Sequence, residues 1–195
     1  MSGESLVDWA RKNAADLLAE QLPRRWRHVQ AVALRVKTLE SLLGDEIELL
    51  EAAALLHDIG YSPSIIDTGL HALDGARHLA KIGAPSRLCG LVAFHSAARW
   101  DAELCGLTAQ LAEFHDEESL LKDGLWWADM TTGPDGQMMT FVQRMAEVRD
   151  RLGEDSLAYQ GIQRSWDVRR KAIEAVEVGL TKVGLAEVRT EEFKQ

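Results

Sequence analysis

The chain has 195 residues, 46% hydrophobic and 27% charged, with a formal net charge of -9 and a pI of about 5.2. This suits one packed domain and argues against disorder. The acidic balance argues against broad electrostatic binding to nucleic acid, though not against a small anion at a local cationic site.

Cys89 and Cys105 are the two cysteines, and no CxxC occurs. A disulfide framework and thiolate zinc are therefore disfavoured. The start MSGESLVDWARKNAADLL lacks the basic and apolar regions of a signal peptide. No stretch has the apolar length of a membrane span. The expectation is a cytoplasmic protein with no nucleic acid and no membrane as partner.

Apolar residues recur at helical spacing almost throughout, with no sustained period-two run, so the chain reads as all-α. The first helix covers about Ser5 to Glu20. Pro23 opens the second, which runs from about Arg24 to Leu43 and stops at Gly44. Asp45 caps the third. That helix contains Glu51-Ala-Ala-Ala-Leu-Leu-His57-Asp58-Ile-Gly60, with Gly60 as its stop signal. A polar loop leads to a fourth helix, about Leu70 to Ile82, ended by Gly83. Pro85 and Ser86 open a fifth, about Arg87 to Ala98. The segment from Asp101 to Glu118 reads as a polar connection with a short helix near Leu107 to Phe114. A sixth main helix spans about Ser119 to Met130, and Thr132-Gly-Pro-Asp-Gly136 is a turn-rich loop. Helices from about Met138 to Leu152 and Ser156 to Gly184 close the chain. The tail from Thr190 to Gln195 reads as polar and frayed.

His57 and Asp58 form a titratable pair at the end of an apolar helix. An unpaired buried charge is costly, and a metal ion is one partner that satisfies both residues. The dipeptide alone also fits a helix-terminal His beside a solvated Asp. The order of residues along the chain is more telling: His28, His57-Asp58, His71, His95, Asp129. Imidazole and carboxylate without thiolate suit a borderline or hard divalent ion: iron, manganese, zinc, cobalt, nickel or magnesium.

Arg25-Trp-Arg-His28, Leu56-His57-Asp58-Ile-Gly60 and Ala128-Asp129 resemble the motifs of the HD-domain metal-dependent phosphohydrolases. That family's pattern is a first His, a His-Asp pair and a later Asp, all on helices. His71-Ala-Leu-Asp-Gly75-Ala76 and Phe94-His95-Ser96 are similar to the extra ligand segments of its two-metal branch. Bacterial members of that branch split dinucleoside tetraphosphates symmetrically. The loop from His57 to His71 is shorter than in that branch, and the interval from His95 to Asp129 is longer.

The resemblance implies an HD-domain-like helical bundle. It would form one domain over 1–195, with a motif core at about 24–136 and a helical extension at about 137–185. It implies His28, His57, Asp58 and Asp129 as ligands of one ion. Asp58 would bridge to a second ion held by His71 and His95. The cofactor is then two divalent ions: iron, manganese or another transition metal. Two such ions would activate water for in-line attack at phosphorus.

His71 opens one helix and His95 lies towards the end of the next. Antiparallel neighbours joined by the short Gly83-Ala-Pro turn bring such ends together. Arg25 lies three positions before His28 on the same helix face. It is a candidate phosphate contact, or a surface arginine clustered with Arg24 and Arg27. His78 fits a packed or exposed residue better than a ligand, and His115-Asp116 fits a solvated loop. Trp126-Trp127 fits core packing, with base stacking as the alternative.

The expected function is a metal-dependent phosphohydrolase of a small phosphorylated metabolite, a nucleotide or dinucleotide. A non-catalytic regulatory protein that binds nucleotide or metal, and a diiron oxygenase on the same fold, are the alternatives.

Overall fold

The computed structural model describes residues 3–190, and most of the tail expected from Thr190 onward lies outside them. Among the described residues there are helices and turns and no strand; one isolated bridge joins Thr132 to Met138. The fold is all-α, as the periodicity predicts.

Helix α1 (Leu6–Leu18) starts at Ser5, whose hydroxyl accepts the Asp8 N–H at 3.1 Å. Helix α2 (Pro23–Val36) has proline at its first position and buries His28, Val29, Val32, Ala33 and Val36. The predicted continuation to Leu43 does not occur. Lys37–Leu39 and Gly44–Glu46 are 3-10 turns around a single helical turn, α3 (Glu40–Leu43). One local cause is Thr38, whose hydroxyl donates to the Arg35 carbonyl at 2.7 Å and competes with the helical ladder. Asp45 does not cap the next helix: it lies inside the second 3-10 turn, and Glu46 at the cap makes no side-chain bond.

Helix α4 (Ile47–Leu56) buries every residue from Leu50 to Leu56. A helix apolar on all sides is a central one. It packs against α1, α2, α6 (Ser86–Ala93) and α9 (Leu120–Met130). Helices α5 (His71–Lys81) and α6 form an adjacent hairpin. Helix α7 (Ala98–Cys105) occupies ground expected to be a polar connection, because Ala98 and Ala102 are buried and the helix packs on α11 (Leu157–Lys182). The short α8 (Thr108–Leu111) follows. Helix α10 (Phe141–Leu152) starts later than Met138. Met138 belongs to the bridge with Thr132, and Thr140 and Gln143 form a capping box. One apolar cluster runs from Ala10 to Leu180 and takes in residues of α10 and α11. Among the described residues, no helix is long and apolar enough to cross a membrane.

Two helices end one turn earlier than Gly60 and Ala98 would suggest, by the same device. In a continued α4, the Ala54 carbonyl would accept the Asp58 N–H. It accepts the His57 ring instead, from Nδ1 at 2.7 Å. In a continued α6, the Val92 carbonyl would accept the Ser96 N–H. It accepts the His95 ring, from Nδ1 at 2.6 Å. Gly60 therefore does not stop α4. It sits in the 3-10 turn Ile59–Tyr61, where a Cβ would overlap the His71 carbonyl oxygen and crowd the Gly75 backbone.

Candidate metal centre

Three helices and the ends of two more bring the candidate ligands to one place. His28 comes from the middle of α2, and His57 and Asp58 from the end of α4. His71 is the first residue of α5, His95 follows α6 by one residue, and Asp129 lies in the last turn of α9. All are buried except His71, which is partly exposed.

The backbone sets the ring orientations. The Nδ1–H groups of His57 and His95 donate to the carbonyls just described, and that of His28 donates to the Gly133 carbonyl at 3.0 Å. A carbonyl only accepts, so each Nδ1 carries the proton and each Nε2 of a neutral ring presents a lone pair. Those lone pairs converge on carboxylates. His57 Nε2 lies 3.4 Å from Asp58 Oδ2 and 3.8 Å from Asp129 Oδ1, and His28 Nε2 lies 3.1 Å from Asp129 Oδ1 and 3.9 Å from Asp58 Oδ2. On the other side, His71 and His95 Nε2 lie 3.5 and 3.7 Å from Asp58 Oδ1 and 3.0 Å from each other.

Among the described residues, two groups could hold a metal ion: His28, His57 and Asp58, and Asp58, His71 and His95. Asp58 belongs to both, one oxygen towards each. The fit to a divalent cation rests on His57. Its Nε2 is fully buried, makes no hydrogen bond and faces carboxylate oxygens. Lone pairs so arranged repel unless a proton or a cation lies between them.

The electrostatics say the same. Burial disfavours a charged His57, yet Asp58 and Asp129 outweigh it and raise its pKa to about 9. Burial also opposes the Asp58 carboxylate, but Arg25 and then His57 hold its pKa well below the usual range. Asp129 is likewise depressed against its burial, by His28 and His57. His71 goes the other way: burial, with His95 beside it, lowers its pKa to about 3. The two carboxylates thus push His57 towards its charged form, while burial holds His71 neutral.

Arg25 donates to Asp58 Oδ2 at 2.6 Å, and its guanidinium lies 3.9 Å over the Tyr61 ring. Tyr61 in turn stacks on His71, with centroids 4.1 Å apart. Sequence reasoning singled out Arg25 but missed Tyr61, whose signal is an aromatic residue directly after Ile59-Gly60. It also missed Ser96, which donates to Asp129 Oδ2. Ser96 and Ala97 have positive φ, 49° and 59°, a conformation costing on the order of 1–2 kcal/mol per L-residue. The strained pair turns Ser96 towards Asp129 directly after His95. Asp74 was missed as well. Buried in α5, it accepts the N–H groups of Asp67, Thr68 and Gly69 at 3.0–3.1 Å and so folds the loop that delivers His71.

His78 and the exposed His115 lie outside both groups. Trp126 and Trp127 are buried, and their indole N–H groups are spent on the Phe94 carbonyl and the Glu177 carboxylate, at 3.0 Å each. Their burial, complete for Trp127, is that of core packing.

An all-α bundle that closes a His-Asp pair, further histidines and a later aspartate onto one buried centre defines a protein with an HD-type cluster of candidate metal ligands. The chain belongs to the HD domain family, whose model matches residues 25–153. No curated protein and no solved structure matches the chain.

Proposed function

We propose that the chain is a metal-dependent phosphohydrolase acting on a small phosphorylated metabolite, a nucleotide or dinucleotide. In this reading His28, His57, Asp58 and Asp129 hold one divalent ion, and Asp58, His71 and His95 hold a second. Such ions supply Lewis acidity, which makes water a nucleophile at neutral pH and offsets charge on phosphoryl oxygens.

The chain's own residues do the rest. The carbonyls of Ala54, Val92 and Gly133 fix the rings that must present Nε2. Ser96 orients Asp129. Arg25 keeps a fixed positive charge beside Asp58, suited to a phosphoryl oxygen. The observation that carries the proposal is the position of Asp58, whose two oxygens face two separate groups of imidazoles.

A panel of nucleotides and dinucleoside polyphosphates, assayed with added Mn²⁺, tests it. The expected result is metal-dependent hydrolysis of at least one compound, abolished in His57→Ala. Nucleotide binding without turnover would support a regulatory protein instead. Oxygen consumption by anaerobically purified, iron-loaded protein, with no hydrolysis, would support an oxygenase.

A further inference from the structure

A cavity of about 290 Å³ opens beside His28 and Arg25, between the start of α2 and the face of α10. Its lining holds Arg24, Arg25, Arg144 and Arg151 and no carboxylate, in a chain of net charge -9. All four arginines have a carboxylate nearby, but the supply is short on α10. Arg24 pairs with Asp135 and Arg25 with Asp58, whereas Arg144 and Arg151 share the single carboxylate of Glu147. Arg144 is 6% exposed, and its Nε is buried without a hydrogen-bond partner. The first turn of α2 also lines the cavity, and its cap residue Leu22 makes no side-chain bond. Amide groups at that helix start add positive potential.

We propose that this cavity is the subsite for a second phosphoryl group of the substrate, with Arg144 and Arg151 as specificity-determining residues. The inference rests on the phosphohydrolase reading and narrows it to compounds with phosphoryl groups linked in series. The scissile group would lie at the His28 and Arg25 end, and the next group against α10. Charge-assisted bonds from guanidinium to phosphate are strong enough to make the second group decisive for affinity. It also gives α10 a part in recognition, although the sequence motif ends before it.

Titration calorimetry with inorganic tripolyphosphate and with orthophosphate, on chelator-treated full-length protein, tests this without turnover. Tripolyphosphate is expected to bind the wild type at least about tenfold more tightly than orthophosphate. Arg151→Gln, at a partly exposed position that does not threaten folding, is expected to weaken tripolyphosphate about tenfold, and Arg144→Gln at least as much. Arg170→Gln, on the exposed face of α11, is expected to change nothing. Equal affinity for the two anions, or wild-type affinity in Arg151→Gln, would overturn the subsite. Mn²⁺ binding, measured separately, tells the two failures apart. A wild type that binds no Mn²⁺ and hydrolyses nothing defeats the phosphohydrolase reading, whereas unchanged tripolyphosphate affinity in a Mn²⁺-binding Arg151→Gln defeats the subsite alone.

Discussion

Arg25 Nη1 lies 2.6 Å from Asp58 Oδ2, the same oxygen that faces His28 and His57. A guanidinium and a metal ion would therefore draw on one carboxylate oxygen, and the proposed function gives Arg25 a further role as a phosphate contact.

Arg25→Gln separates these roles. Mn²⁺ affinity should stay the same or rise, because a competitor for Asp58 is gone. kcat/KM on a hydrolysed phosphate compound should fall by about tenfold or more, the loss of one charge-assisted contact. Calorimetric Mn²⁺ titration and steady-state kinetics measure the two effects. Loss of metal binding in this variant would make Arg25 a structural support for the ligands instead of a phosphate contact.

Gly60 is the position where backbone meets backbone below the second group of ligands. Gly60→Ala would force the Ile59–Tyr61 turn away from the His71 carbonyl. Overpacking of this kind costs about 1–3 kcal/mol, more where backbone cannot yield. Urea denaturation should show that loss, and the variant should retain less metal because His71 moves with its carbonyl. Wild-type stability would mean that the turn relaxes freely.

Asp101, which lies within electrostatic reach of His95 but belongs to neither group of candidate ligands, gives a pH signature of its own. Burial raises its carboxyl from 3.8 to about 6, against the pull of Arg169, and its Oδ1 is buried without a partner. The folded state thus holds this proton more tightly than the unfolded chain. The contribution is fully present below about pH 4 and is lost as pH rises through about 6, up to about 3 kcal/mol in all. Asp101→Asn should stabilise the protein at pH 7.5, by about 1–2 kcal/mol, and do little at pH 4. Urea denaturation at the two pH values checks this, and an effect independent of pH would contradict it.

The sequence carried the helical class and the ligand candidates, because both are encoded locally. Apolar spacing gives the helices, and His28, His57-Asp58, His71, His95 and Asp129 stand in an order that has chemical meaning before any fold is known. The helix ends were not legible. Gly60 and Ala98 looked like boundaries, but the boundaries are set where His57 and His95 turn their rings onto Ala54 and Val92. A side-chain donor there competes with a backbone N–H for one carbonyl, and residue spacing does not show which of them takes it. Ser96 and Asp74 act through contacts with Asp129 and with the loop before His71, which no spacing rule marks. Arg144 and Arg151 belong to a segment with no motif and reach the site through the packing of α10. Helix α7 was hidden because its pattern looks polar until α11 covers Ala98 and Ala102.

Metal stoichiometry under saturating Mn²⁺ tests the central claim most directly, read in the wild type, in Asp58→Ala, and in His71→Ala combined with His95→Ala. The account predicts two equivalents in the wild type and one in the double variant. It predicts loss of metal together with hydrolysis in Asp58→Ala, because Asp58 is shared by both groups. One equivalent in a wild type that the double variant matches, or full metal content and turnover in Asp58→Ala, would contradict a centre built on a shared carboxylate.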